Sequence, residues 1–415
     1  MKVLWFTPTP ANADTYFNTD LKGSGGWLKA LDQDLQHHVD LHVAFLKKHE
    51  KSFGYQKTTY HPVYAKRSVG NKWLRKFSGQ QKHDKLIQKS MDIVNAVKPD
   101  IIHIHGSESI FTAIAPHTDI PLVLSIQGNI TVYLHKFFSG IEKKHLHQRS
   151  GALKKPLQWL KPAPFAYKHK IFKHAAQHEQ LYLRHIKNFI GRTDWDRRIS
   201  LIMAPHRKYF VVNEFMREAF YENQWQPHPT EKTIIHTTND NNYFKGFETL
   251  CHALHLLQKN GIHAEWRVAG IKEDDLIVKI VKRKLKDKFP KKDLILLGAL
   301  NEKNLIERML QADIYVMPSH IENSPNSLCE AMMLGMPCIS TVAGGTPSLM
   351  TDKHDGILIQ SGDPYSMAGA IAELSEDREK AAALGRKARL TAMLRHDKKT
   401  IIKNLIQVYN TCIKN

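Results

Sequence analysis

The sequence predicts an α/β protein made of two successive doubly wound halves, each a parallel sheet flanked by helices. Three observations predict it. Short apolar runs alternate with helix-period segments along the whole chain, which is the pattern of parallel βαβ units. The alternation breaks once, at residues 222–230 (ENQWQPHPT), where two prolines meet few aliphatic side chains, and then restarts. The chain of 415 residues is also too long for one ordinary core, and its 42% of hydrophobic residues can fill two.

In the first half, residues 3–6, 39–45, 101–105, 122–126, 188–190 and 209–212 read as strands, with helical spacing over 27–35 and 85–97. In the second half the strands fall at 233–237, 264–269, 294–297, 314–317 and 338–341, and helices at 247–258 and 302–311. The expected domains are therefore 1–226 and 227–395, followed by a last helix within 396–415. Ligands of such sheets bind beyond the carboxyl ends of the strands, and two sheets facing each other would make a cleft.

Composition narrows the partners. A formal net charge of +20 favours something anionic: nucleic acid, a phospholipid surface or a phosphorylated small molecule. The four cysteines, Cys251, Cys329, Cys338 and Cys412, form no C-x-x-C pair, which argues against a structural zinc site or a disulfide framework and fits a reducing compartment. The apolar start, Met1 to Phe6, is too short for a signal peptide and reads as a buried strand. No stretch approaches the roughly eighteen apolar residues of a membrane span. The expected location is cytoplasmic, with any membrane contact peripheral.

Residues 312–347 carry the chemistry. A buried strand ends at Pro318, the loop Ser319–Asn323 follows, and Ser324-Pro325 looks like an N-cap with proline at the first helical position. Gly335 reads as the residue that ends this helix. The free amides of a helix start would then lie at the ligand edge of the sheet, where a phosphate is favoured. Glu322 stands just before the helix and Glu330 within it, and two carboxylates there can accept hydrogen bonds from sugar and ribose hydroxyls. A nucleoside diphosphate sugar has both features. Gly344-Gly345, followed by Thr346 as cap and Pro347 at the first turn, forms a second ligand-edge loop.

With its surroundings, the stretch Glu322-Asn323-Ser324-Pro325-Asn326-Ser327-Leu328-Cys329-Glu330 resembles the E-x7-E motif of the retaining, GT-B-fold glycosyltransferases of the "group 1" family. The similarity is dense over residues 290–365 and weaker elsewhere. It implies two Rossmann-like domains and a donor held mainly by the second. It also implies a terminal helix returning to the first domain, closure of the domains on the donor, and no required metal or other cofactor. By that resemblance Glu330 binds the ribose, while Glu322 and the amides after it, in the donor-binding stretch Asn323, Ser324, Pro325 and Asn326, hold the sugar and phosphates, with Gly344 and Gly345 nearby. Lys245 matches the family's pyrophosphate lysine. Gly25 and Gly26, in Gly23-Ser-Gly-Gly-Trp27, resemble the glycine loop of the first domain, although no third glycine completes a dinucleotide fingerprint. Where the family keeps an arginine, this chain has Asp240, so either Arg267 or another basic group substitutes or the phosphate is held more weakly. Gln127 stands where the family often has a functional histidine, and His105 and Arg192 are further candidates for acceptor or sugar contacts.

Two features read in more than one way. Asp194-Trp-Asp196 is either a metal-holding pair or a capping box with Thr193 as N-cap, and the cap is preferred. Residues 136–174 hold ten Lys or Arg against one acid, Glu142, interleaved with aromatics. That suits an anionic membrane and a lipid-linked or glycan acceptor, or else it is a solvated basic face. No motif organises the lysines for specific nucleic-acid binding. Besides the sugar transferase, a sugar-nucleotide epimerase and a basic nucleic-acid-binding protein stay open.

Overall fold

The computed structural model describes residues 1–17, 26–48, 51–64, 75–142, 164–228 and 231–414. Its contacts divide the chain into two compact units. The first comprises Met1–Ile130, Ala175–Arg217 and His396–Asn415, and the second Thr131–His174 and Glu218–Arg395. The boundary thus falls at 217/218, ahead of the proline-rich stretch expected to carry it, and residues 131–174 count with the second unit.

The first unit is built on an eight-stranded sheet, β1 (Lys2–Thr7) to β8 (Lys208–Val211), in the order β3-β4-β2-β1-β5-β6-β7-β8. β2 is Asp40–Leu46, β5 Ile101–His105, β6 Leu122–Ser125 and β7 Asn188–Gly191. All pairings are parallel except that of β3 (Phe53–Tyr55) with β4 (Thr58–Val63). These last two strands were not legible in the sequence, because His61 and Pro62 interrupt the short β4 run. β1 and β5 are almost entirely buried, which fits the apolar run of β1 and the isoleucines of β5, although β5 buries His103 and His105 as well.

The second unit has a six-stranded, wholly parallel sheet in the order β11-β10-β9-β12-β13-β14. Here β9 is Thr233–Thr238, β10 Ala264–Ala269, β11 Leu294–Gly298, β12 Ile314–Met317, β13 Cys338–Thr341 and β14 Ile357–Ile359. Its largest cluster packs Trp266, Phe247, Leu250 and Leu254 between sheet and helix. Strand order reverses beside β1 in the first sheet and beside β9 in the second. Those are the switch points where open sheets leave a crevice for ligands.

The terminal helix Lys398–Ile413 starts on Asp397, whose carboxylate accepts from the Thr400 amide at 2.8 Å. It packs on the first unit's sheet. Trp5 Nε1 donates to the Tyr409 hydroxyl at 3.0 Å, and that hydroxyl meets His103 Nδ1 at 2.7 Å. The other His103 nitrogen meets Ser125 Oγ at 2.7 Å. Burial, reinforced by Arg192, pushes the His103 imidazole down to about 3. His236 on β9 is pushed down to about 3 by burial and then Arg267.

Both histidines fold neutral and must take up a proton when the chain unfolds in acid. Their folded values lie below the unfolded one, so the stability they contribute is complete above about pH 6.5 and drains as pH falls towards 3. Between pH 6.5 and 5, each should cost its unit about 2 kcal/mol. Urea melts across that window should show the loss, and His103→Asn should flatten the slope. An unfolding free energy that stays level from pH 7 to 5 would contradict the buried, neutral state of both rings.

Candidate active site

The two loops flanking the switch point of the second sheet hold the densest group of expected residues. After β9 the chain enters a one-turn 3-10 helix, Tyr243–Lys245, and then Gly246 at φ +71°, from which the helix Phe247–Lys259 starts. After β12 comes the loop Pro318–Pro325 and the helix Asn326–Leu334. The loops touch closely: a Cβ on Gly246 would lie 1.8 Å from the Pro318 carbonyl oxygen. Only glycine meets both the left-handed backbone and that approach.

Across this contact Lys245 Nζ lies 2.6 Å from Glu322 Oε1, with side-chain exposures of 24% and 7%. Burial alone would lower the lysine's pKa, but Glu322 and then Asp240 outweigh it and hold the ammonium above its ordinary value. Ser319 Oγ donates to the same Glu322 oxygen at 2.7 Å. The Gly345 amide donates to the Glu322 carbonyl at 3.0 Å, bringing the loop after β13 to the site, with Gly344 at φ +60°. Asn323, Ser324 and Glu330 are all buried, Glu330 on the helix that the loop feeds. The structure therefore brings Lys245, Glu322, Asn323, Ser324, Gly344 and Gly345 to one edge of one sheet, with Glu330 just behind.

Two local expectations need correction. The residue half in the helix is Pro325, whose carbonyl accepts from Leu328 and Cys329, so the helix starts one residue later than expected and Ser324 is not its cap. Thr346 opens only a 3-10 turn, Thr346–Ser348, and its hydroxyl turns back to the Ala343 carbonyl at 2.9 Å instead of capping. Gly335 does end the helix, at φ +81°.

Arg267 on β10 is paired with Glu265, its Nε donating to Oε1 at 2.7 Å. Asp240 caps its own loop, accepting from the Asn242 amide at 2.7 Å. Besides Lys245, a second basic group at that loop is Lys168, whose ammonium lies 3.4 Å from the Asn241 carbonyl. Sequence reading missed Lys168, Ser319, Glu248 and His320. Only Ser319, three residues before Glu322, carried a local signal.

In the first unit, Gly26 opens the helix Gly26–Leu35 and stands against Arg217, while Gly25 lies outside the described residues. The Trp27 ring meets the His105 ring at 5.7 Å and carries the Arg192 guanidinium 4.8 Å from its centroid. Arg192 Nε is 3.5 Å from Glu214 Oε2. Gly26, His105 and Arg192 are thus gathered around Trp27, at the end of β5 beside the switch point. His105 is buried, and burial, followed by His103 and Arg192, holds its pKa well below the ordinary histidine value, so it is neutral. Gln127 is half-buried on the loop after β6, which is tied to the β5 loop by Ser107 Oγ donating to the Gly128 carbonyl at 2.8 Å. Thr193 and Asp196 form a complete capping box, and Asp196 also accepts from the Arg192 amide. The Asp-x-Asp pair is accounted for as a cap. Of the basic stretch 136–174, residues 143–163 lie outside the described residues.

Two open α/β sheets with ligand-type residues at their switch points define a GT-B fold. The sucrose-phosphate synthase of Thermosynechococcus elongatus superposes on the chain with a TM-score of 0.73, covering 99% of each at 13% identity. Anabaena HepE in complex with UDP and glucose does so with a TM-score of 0.65, covering 99% of each at 14% identity. Residues 219–391 match the profile of the glycosyl transferases group 1. Among curated relatives, WcaL of Salmonella typhimurium, named for colanic acid biosynthesis, is 28% identical over 138 residues, 32% of this chain and 33% of its own length. The UDP-Gal:alpha-D-GlcNAc-diphosphoundecaprenol alpha-1,3-galactosyltransferase of Escherichia coli is 36% identical over 89 residues, 21% of this chain and 22% of its own length. The aligned stretches thus span between a fifth and a third of these relatives.

The contact between Gly246 and Pro318 can be tested against a control glycine with nearly the same backbone. Gly261 has φ +74° but nothing within 4 Å of an added Cβ. Gly261→Ala should cost about 1 kcal/mol, the left-handed penalty alone. Gly246→Ala should cost on the order of 3 kcal/mol, because the backbone must also shift. Equal losses in urea melts would mean that the two loops are not in contact.

Proposed function

We propose that this protein is a retaining glycosyltransferase that moves a sugar from a nucleoside diphosphate sugar to a hydroxyl on a glycan or lipid-linked acceptor, in surface polysaccharide or glycolipid assembly. The observation that carries this reading is the part-buried Lys245–Glu322 pair at the switch point of the second sheet, one helix start away from the buried Glu330. A cation, a carboxylate and the start of a helix together match a sugar diphosphate. The printed names of the relatives agree with it: the Escherichia coli enzyme is named for transfer to a diphosphoundecaprenol-linked sugar, and HepE was solved with UDP and glucose.

In this reading Glu330 accepts hydrogen bonds from the ribose hydroxyls and Glu322 from the sugar. Asn323, Ser324, Asn326 and the glycines at 344–345 line the phosphates and sugar. The bond from the anomeric carbon to the phosphate oxygen breaks, and its electron pair leaves with the nucleoside diphosphate. Lys245 neutralises that charge as it builds. The acceptor hydroxyl attacks from the same face and passes its proton to the departing phosphate, so no protein nucleophile and no metal is needed. Gly26, His105, Gln127 and Arg192 serve the acceptor side. Among the described residues no helix is long and apolar enough to cross a membrane. The ten basic residues of 136–174 would hold the enzyme against the anionic inner face of the cytoplasmic membrane.

A thermal-shift screen of UDP, GDP, ADP, TDP and CMP, with and without magnesium, tests the donor site. A ligand that binds only the folded chain raises the melting temperature, by about 2.7 kcal/mol of stability at a hundred times its Kd. One diphosphate should stand out, independent of magnesium, and Glu330→Ala should weaken it about tenfold or more. No shift with any nucleotide, alongside salt-sensitive binding of RNA or DNA, would replace this reading with nucleic-acid binding. Conversion of a nucleotide sugar with no acceptor present would replace it with epimerisation.

A further inference from the structure

Behind the Lys245–Glu322 pair lies a second buried pair that no step above uses. His320 Nε2 sits 2.6 Å from Glu248 Oε1, with side-chain exposures of 8% and 3%. The other ring nitrogen faces Ser361 Oγ at 3.2 Å, and Thr249 Oγ1 donates to Glu248 Oε1 at 2.9 Å. Glu248 stands on the helix that begins just after Lys245-Gly246, and His320 on the loop that carries Glu322. The His320 amide donates to the Phe244 carbonyl at 2.7 Å. The two loops are therefore joined at three points: that backbone bond, the Gly246–Pro318 contact, and the carboxyl–imidazole pair.

The pair is also covered. Gly140, at φ +74°, lies against it, and a Cβ there would fall 1.9 Å from Glu248 Oε1 and 2.7 Å from His320 Nε2. Lys284 Nζ bonds the Gly140 carbonyl, and Phe137 and Ile141 on either side enter the same core cluster as Phe247. The segment 131–142, which continues the chain from the end of β6, is thus built into the rear of the candidate donor site.

We propose that Glu248 and His320, sealed by Gly140, are positioning residues that hold Lys245 and Glu322 in register for the diphosphate of the donor. Entry of a phosphate must open the 2.6 Å contact between Lys245 and Glu322. If the two loops could drift apart when that contact opens, the ammonium would no longer be aimed at the leaving group, and preorganisation would be lost. The second pair keeps the two backbones fixed while the first pair exchanges partners. The inference rests on the donor-site reading given above.

The test is a double-mutant cycle read by calorimetric binding of the nucleoside diphosphate that the wild-type chain prefers. His320→Ala should weaken binding about tenfold and lower donor kcat/KM in proportion, with acceptor KM unchanged. In a Lys245→Ala background the same change should cost less than about twofold, because it acts through the lysine. Gly140→Ala, which displaces the carboxyl, should mimic His320→Ala. His320→Phe, which keeps the bulk of the ring but cannot bond Glu248, serves under the same criteria if alanine does not fold. Binding by His320→Ala within about twofold of wild type, or an equal loss with and without Lys245, overturns the proposal. A wild-type chain that binds no nucleoside diphosphate sinks the donor site itself, a separate outcome.

Discussion

Placing a lysine ammonium against a glutamate in a mostly dry crevice removes the hydration of both charges, and the attraction between them recovers that loss only when geometry and further hydrogen bonds are good. The second unit is organised to meet this condition at Lys245 and Glu322. Ser319 supplies a second donor to the same carboxylate oxygen, and Asp240 adds negative charge near the ammonium. The glycine at 246 lets the two loops approach closely enough for the pair to form. A part-buried pair of this kind is a weak contributor to stability.

The strand order explains why these residues meet. β9 lies between β10 and β12, so the chain leaves the ends of β9 and β12 towards opposite faces of the sheet. The loops that diverge there carry Lys245 and Glu322, separated by 77 positions in sequence. The first sheet repeats the logic at β1 and β5, where Trp27 gathers His105 and Arg192.

Much of this was readable in advance, and the reasons differ by element. Buried parallel strands such as β1 and β12 are continuous apolar runs and stand out. β3 and β4 do not, because β3 has only three residues and His61 and Pro62 interrupt β4. Glu322 and Glu330 were legible because their spacing and neighbours form a local motif. His320 and Glu248 were not, since their meaning lies in a contact between two loops, and one histidine among 25 carries no mark of its own. The placing of residues 131–174 with the second unit was likewise hidden, because chain order says nothing about which core Phe137 and Ile141 will join.

The clasp between Trp5 and Tyr409 spans 404 positions, and it sets an order of events during synthesis. The first strand leaves the ribosome long before the helix that covers it. At about 5–20 residues per second, Trp5 and His103 wait on the order of a minute or less for the hydroxyl that completes their bonding. Throughout that wait the second unit is being made in full, so the first unit is completed only after the second. A nascent chain stalled before residue 398 would leave that face of the first sheet open.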